Sequence, residues 1–245
     1  MTAGSRVVVV GASSGLGRTL ALALAERGAH VALLARRKDR IDSAAAEAGP
    51  NAFGVRCDVT EPQSCQDAIA EAAGRLGGID ALVYSTGAMT IAPIETVSAD
   101  DWAHVFATNV TGAALTTAAA LPHLAASEGV GIYFSSISAS LHPPWLNLGA
   151  YVTSKAALDK LVEVWRAEHP SVRFTRLAIG DCAGGPGESS TEFLDSSDPE
   201  LAHVSMTDWL NKGYMTGKLI DPVDLVNTIE SVIDVRSCIP MVTLT

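Results

Sequence analysis

Cysteine is sparse in this sequence, and where it occurs it is isolated: Cys57, Cys65, Cys182 and Cys238 form no CxxC pair and stand at no Cys/His ligand spacing. That gives neither a metal site nor a disulfide framework, so the thiols are expected to be reduced, as in a cytoplasmic protein. Long apolar runs are also missing. The N-terminal VVVV is far too short to span a bilayer and leads into a glycine-rich turn, so neither a membrane anchor nor a targeting segment is expected. Basic charge is scarce: 17 Lys and Arg stand against 27 Asp and Glu, for a formal net charge of −10. A phosphate-backbone binder needs the opposite balance, and no nucleic acid partner is expected. No internal repeat or low-complexity linker breaks the chain.

What is present in quantity is apolar. Hydrophobic residues make up 48% of the 245 positions, enough to bury the core of one α/β domain. Short β-branched or apolar runs recur at 7–10, 30–34, 53–57, 81–84, 132–134, 172–177 and 239–244. Between them lie Ala- and Leu-rich segments at helical spacing, such as 18–27 and 102–124. Such alternation demands crossover connections and hence a mainly parallel sheet covered on both faces. Helix starts agree: Ser98 with Asp101 has capping-box spacing, Thr60 precedes Pro62, and Asp221 and Asp224 flank Pro222. One long irregular segment, 183–217, carries Phe193, Leu194, Trp209, Tyr214 and Met215, more large apolar side chains than a solvated loop needs, and reads as a lid.

The first strand runs into a turn, VVVVGASSGLGRTL, that sets Gly11, Gly15 and Gly17 between a buried strand and a helix. Glycines there permit a tight turn and the close approach of a diphosphate, whose charge meets free amides at the helix N-terminus. Ser13, Ser14 and Leu16 complete the candidate cradle. Further on, Tyr151 and Lys155 stand four apart in a helical segment and so share one face. A phenol of ordinary pKa near ~10 is a poor acid–base catalyst at neutral pH, and a neighbouring ammonium stabilises its phenolate. That pairing suits proton transfer to a carbonyl oxygen.

Taken together and in order, the GxxxGxG turn, CDV at 57–59, TNVTG at 108–112, a serine upstream and YVTSK at 151–155 resemble the short-chain dehydrogenase/reductase family over residues 7–180. The resemblance implies a single-domain Rossmann fold with a seven-stranded, doubly wound sheet. It also implies hydride exchange between a nicotinamide cofactor and a substrate carbon, and a homodimer or homotetramer. Tyr151 would move the proton at the substrate oxygen, while Lys155 would tune Tyr151 and hold the nicotinamide ribose. Asn109 would hold a water linking Lys155 to solvent, and Asp58 with Val59 would meet the adenine. For the serine, the family's strand ending aligns with Ser135–Ser136 and picks Ser136, whereas its usual distance to the tyrosine picks Ser138; extra residues fit more easily in the loop than in the strand, which favours Ser136.

The residue ending the second strand meets the adenosine ribose, where an acid binds a 2′-hydroxyl and an arginine accepts a 2′-phosphate. Arg36 falls there, beside Arg37, so NADP(H) is expected. Departures from the family pattern are Val10 for its threonine, Ser85-Thr86-Gly87 for its Asn-Ala-Gly, and Ile179-Gly180 for its Pro-Gly. Gly87 and Gly180 still allow close backbone approach, and Ser85 or Thr86 can supply a hydroxyl. Residues 181–218 hold seven acids, two lysines and no arginine, which disfavours polyanionic substrates. With Leu141, Trp145, Leu146, Phe193, Trp209 and Met215 as candidate walls, the expected substrate is a small or medium neutral ketone, aldehyde or alcohol. A non-catalytic NADPH-binding sensor or scaffold on the same fold is the alternative.

Overall fold

The computed structural model describes residues 3–182, 184–185, 187–190, 198–215 and 217–245, apart from the side chains of Ser140 and Glu188. Seven strands form one sheet: β1 Arg6–Val10, β2 His30–Ala35, β3 Ala52–Arg56, β4 Ala81–Tyr84, β5 Val130–Ser136, β6 Arg173–Ile179 and β7 Met241–Leu244. Every pairing is parallel, in the order β3-β2-β1-β4-β5-β6-β7. Helices α1 Gly15–Glu26, α2 Lys38–Ala48 and α3 Pro62–Leu76 follow the first three strands. After β4 come α4 Ala99–Phe106 and α5 Gly112–Ala126; after β5 come α6 Ile137–Ser140 and α7 Gly149–Glu168; after β6 come α8 Pro199–Asn211 and α9 Pro222–Asp234.

The four valines of β1 show why the sheet is covered twice. Alternate side chains point to opposite faces, so Val7 and Val9 enter one core with Leu20, Leu24 and Ile229, while Val8 and Val10 enter the other with Ile69, Leu124 and Phe174. All four are at most 1% exposed. Burying each valine contributes roughly 1.5–3 kcal/mol, so a run with no polar alternation is what a central parallel strand requires. The strand order reverses between β1 and β4, which opens a crevice beyond their carboxyl ends.

Close contact at that reversal demands glycine. A Cβ on Gly11, whose φ is +92°, would lie 2.6 Å from the Thr86 nitrogen, and one on Gly17 would lie 2.4 Å from both the Gly11 oxygen and Ser85 Oγ. Ser85 reinforces the junction, because its hydroxyl and its amide both donate to the Val10 carbonyl, at 2.7 and 2.9 Å. The side chain that replaces the family's asparagine is therefore used to join β4 to β1.

Element boundaries differ from the sequence reading where local chemistry overrides periodicity. Helix α1 starts at Gly15 and not near Arg18, so Gly15 and Gly17 belong to its first turn, with Ser14 as N-cap. Thr60 caps no helix: its hydroxyl donates to Asp58 Oδ1 at 2.7 Å, and Glu61 is the N-cap of α3. Ser98 and Asp221 do cap, accepting from the Asp101 and Val223 amides, and Asp198 does the same for α8. The helical stretch read at 102–124 is interrupted by a π-helical turn, Ala107–Thr111, between α4 and α5. Wider winding diverts backbone groups from the regular ladder; the Thr108 carbonyl accepts from the Tyr84 hydroxyl at 2.5 Å. Among the described residues no helix is long and apolar enough to cross a membrane.

Two glycine substitutions separate steric need from tolerance. Gly11→Ala meets backbone at 2.6 Å in a left-handed conformation and is expected to lower stability by at least about 2–3 kcal/mol. Gly74→Ala, in α3 with nothing within 4 Å, is expected to raise it by about 0.5–1 kcal/mol. Urea unfolding of the two variants checks both signs.

Candidate active site

The carboxyl ends of six strands and the first turns of α1 and α7 surround one cleft of about 950 Å³. β1 and α1 bring Gly11, Ser13, Ser14, Gly15, Leu16 and Gly17; β2 brings Arg36 and Arg37; β3 brings Asp58 and Val59. β4 brings Ser85 and Gly87, β5 brings Ser136, α7 brings Tyr151 and Lys155, and Gly180 follows β6. Of the expected catalytic and cofactor residues, Asn109 is the one that does not line the cleft.

At one end the arginines are already organised around the turn. Arg37 donates to Ser13 Oγ at 2.8 Å and to Ser14 Oγ at 3.0 Å, while Arg36 is exposed at the rim. Asp58 both lines the cleft and forms a local turn, accepting from the Thr60 amide and hydroxyl. Burial works to raise the Asp58 carboxyl, but the two Thr60 bonds, with Arg36 and Arg56 nearby, hold it below its ordinary value. A glycine cradle too tight for a Cβ, beside a guanidinium pair, fits a dinucleotide carrying an extra phosphate.

At the other end, burial governs the ionisable pair. Ser135 and Ser136 both still belong to β5, so Ser136 leaves the sheet at its carboxyl end. The Ser136 hydroxyl bonds the Tyr151 phenol and also meets Ser138 Oγ at 2.8 Å. Ser136 is thus the serine on the tyrosine, and Ser138, 1% exposed, stands behind it. Burial pushes the Tyr151 phenol up to about 12, against the lowering bond from Ser136. The spacing had suggested that Lys155 would lower it. In the structure Lys155 Nζ lies 5.7 Å from the Tyr151 ring centre and donates to the Phe134 carbonyl at 2.7 Å, so the ammonium is turned to the strand and desolvation prevails. Lys155 is itself pushed down to about 8 by burial, opposed by Asp159.

Asn109 sits within the π turn, fully buried. Its side chain accepts from the Ala88 amide at 2.7 Å and donates to the Ala88 carbonyl and Ser154 Oγ, each at 2.8 Å. The amide therefore braces the cleft-lining loop after β4 against α7, one residue from Lys155. Mid-helix asparagine, a poor helix former, is the one signal of this turn in the sequence, and its bonds run to segments 21 and 45 residues away rather than to neighbouring backbone.

The far wall was only partly foreseen. Trp145, Trp209 and Met215 line the cleft, and Met89, Ile91, Leu148 and Met206 join them. Trp145 packs on Trp209 with ring centres 5.1 Å apart, and Trp209 donates to the Leu146 carbonyl at 3.0 Å. Leu141 and Leu146, on either side of Pro143-Pro144, are each 43% exposed and do not line the cleft. Phe193 and Leu194, with 191–192, 195–197, Ala183, Pro186 and Thr216, lie outside the described residues. Segment 187–190 crosses α1: the Ser190 carbonyl accepts from the Gly15 amide at 3.1 Å, and Arg18 donates to Ser189 Oγ while pairing with Glu47 at 2.7 Å. Nothing in the composition of that segment signals the contact.

The family described as short chain dehydrogenase matches residues 5–193. The chain belongs to this family of oxidoreductases. An 11-beta-hydroxysteroid dehydrogenase 1A of Arabidopsis thaliana is 38% identical over 172 residues, 67% of this chain and 48% of that protein. A serine 3-dehydrogenase of Agrobacterium fabrum is 30% identical over 207 residues, 80% of this chain and 82% of that protein. A solved short-chain dehydrogenase from Streptomyces avermitilis superposes with a TM-score of 0.82 at 27% identity, over 100% of this chain and 90% of that one. The chain spans about half the length of the plant relatives it matches.

A buried ammonium should cost stability. Lys155→Met is expected to raise unfolding free energy by roughly 1–3 kcal/mol at pH 7. Below about pH 8 the parent's lysine is charged in both states and the penalty is complete. Above it the folded state sheds the proton while the unfolded chain, with its ordinary lysine, keeps it, so the parent gains stability and the gap closes. Denaturation of both proteins at pH 7 and pH 10 measures this.

Proposed function

We propose that this chain is an NADP(H)-dependent oxidoreductase that interconverts a small or medium neutral ketone or aldehyde with its alcohol. The observation that carries the reading is the Ser136–Tyr151 bond at the floor of a cleft whose other end is a glycine cradle flanked by Arg36 and Arg37. When bound, the nicotinamide supplies or accepts the hydride. Tyr151, held as a neutral phenol by burial, donates its proton to the oxygen of the reduced substrate, and Ser136 fixes that oxygen within reach. Lys155 binds ribose hydroxyls as an ammonium beside the tyrosine. Asn109 keeps the loop after β4 and the face of α7 in register, with a water at the turn leading from Lys155 to solvent. Gly11, Gly15 and Gly17 admit the diphosphate, with Ser13, Ser14 and Leu16 around it; Arg36 and Arg37 take the 2′-phosphate.

Asp58 and Val59 flank the adenine, and Ser85, Gly87 and Gly180 border the ribose and nicotinamide. Trp145, Trp209 and three of the chain's five methionines, Met89, Met206 and Met215, make the substrate end apolar and adaptable. Acids on the rim, Asp101 and Asp198, disfavour anions there. Of the lid expected at 183–217, the described residues 198–215 cover this end with Met206, Trp209 and Met215, and the chain works as a homo-oligomer in the cytoplasm.

Carbonyl compounds of graded size, with NADPH oxidation as the readout, test the reading. Tyr151→Phe is expected to lower kcat/KM by roughly a hundred- to ten-thousandfold with folding intact. Arg36→Asp is expected to weaken NADPH roughly ten- to hundredfold while leaving NADH little changed. Normal NADPH binding with no turnover of any carbonyl, and no effect of Tyr151→Phe, would instead support a sensor or scaffold.

A further inference from the structure

We propose that Asp159 is a positioning residue for Lys155, keeping the lysine in its ammonium form from one helical turn away; the idea rests on reading Lys155 as part of the active site. The two stand four apart on α7 and therefore on one face. That face is interior: Lys155 is 3% exposed and Asp159 is 4% exposed. The hydrogen bond of Lys155 Nζ goes to a backbone carbonyl, that of Phe134. A neutral dipole offsets only part of the cost of burying a full charge, whereas a nearby carboxylate can offset much more.

The carboxylate is fixed in turn from β6. Arg176 Nη1 donates to Asp159 Oδ2 at 3.2 Å and lies 3.7 Å from Glu163 Oε1. Charges thus alternate inward from the surface: Glu163, Arg176, Asp159, Lys155. On the Lys155 side, α7 also brings the Tyr151 phenol, and β5 brings the Phe134 carbonyl and the Ser136 hydroxyl. The π turn brings Asn109, bonded to Ser154; α6 brings the Ser138 hydroxyl; α4 holds Asp101 and His104 at the cleft. Burial lowers Lys155 to about 8, and Asp159 acts against that lowering. With the carboxylate gone, the lysine would face desolvation with nothing charged to oppose it, and would lose its proton at lower pH.

The test reads Lys155 directly. The chain has five lysines, so the ε-carbon NMR signals of isotopically labelled lysine are few, and the Lys155 signal is the one absent from Lys155→Met. In Asp159→Asn, which keeps an oxygen for Arg176, the Lys155 midpoint is expected to fall by about one pH unit. The alkaline limb of kcat/KM should move with it, and Asp159→Glu should restore both. Asp159→Ser, which removes the carboxylate with a smaller side chain, should lower the midpoint likewise, and serves if Asp159→Asn does not fold. An unmoved Lys155 midpoint in a folded Asp159→Asn, with loss confined to thermal stability, overturns the inference and leaves Asp159 as a partner of Arg176 alone. An unmoved midpoint in a folded Asp159→Ser overturns it as well. A midpoint that shifts as expected in a protein that turns over no carbonyl supports this coupling and removes the catalytic reading.

Discussion

Three backbones must touch where the strand order reverses: the end of β1, the end of β4 and the first turn of α1. Gly11 and Gly17 allow it because a single methyl at either would overlap Thr86, Ser85 or the Gly11 carbonyl. Ser85 then ties the contact by directing both its donors at the Val10 oxygen. From this junction the crevice, the placement of the α1 N-terminus and the spacing of all later strand ends follow, since each parallel strand delivers its carboxyl end to the same edge. The substitution of Val10 for the family's threonine costs the junction nothing visible, because the bond is made from the β4 side.

Burial decides the protonation at the Tyr151 end of the cleft. Tyr151 and Lys155 are displaced in opposite directions, to about 12 and about 8, and in each case toward the uncharged form. A phenol so placed holds its proton throughout the neutral range and suits delivery to a developing alkoxide. The arginine end is different in kind. There, exposed Arg36 and half-buried Arg37 stand near solvent, where an anionic partner can be drawn in and matched.

Much of this was legible in residue order. Seven apolar runs became seven strands, and the glycines, both arginines, Asp58, Ser136, Tyr151 and Lys155 converged on one cleft because parallel strands bring their carboxyl ends together whatever separates them in the chain. What could not be read depended on distance through space. Nothing near Lys155 in the sequence states that its ammonium is turned to the Phe134 carbonyl, or that desolvation outweighs a charge four residues from the tyrosine. Likewise 187–190 meets α1, and Trp209 meets Leu146, across long stretches of chain where no periodicity applies. Leu141 and Leu146 show the converse: apolar identity alone does not say whether a side chain turns inward.

The π turn is also a phase device. Each residue added to a regular helix turns everything after it by about 100°, whereas the wider winding of Ala107–Thr111 absorbs an extra residue within one turn. Gly112, which passes Tyr84 and Val59 too closely for any Cβ, and the buried Thr116, Ala120 and Leu124 thus keep their places in the core. The irregularity lets one stretch of chain carry an asparagine tied to two neighbouring segments without spoiling the packing of the helix that follows.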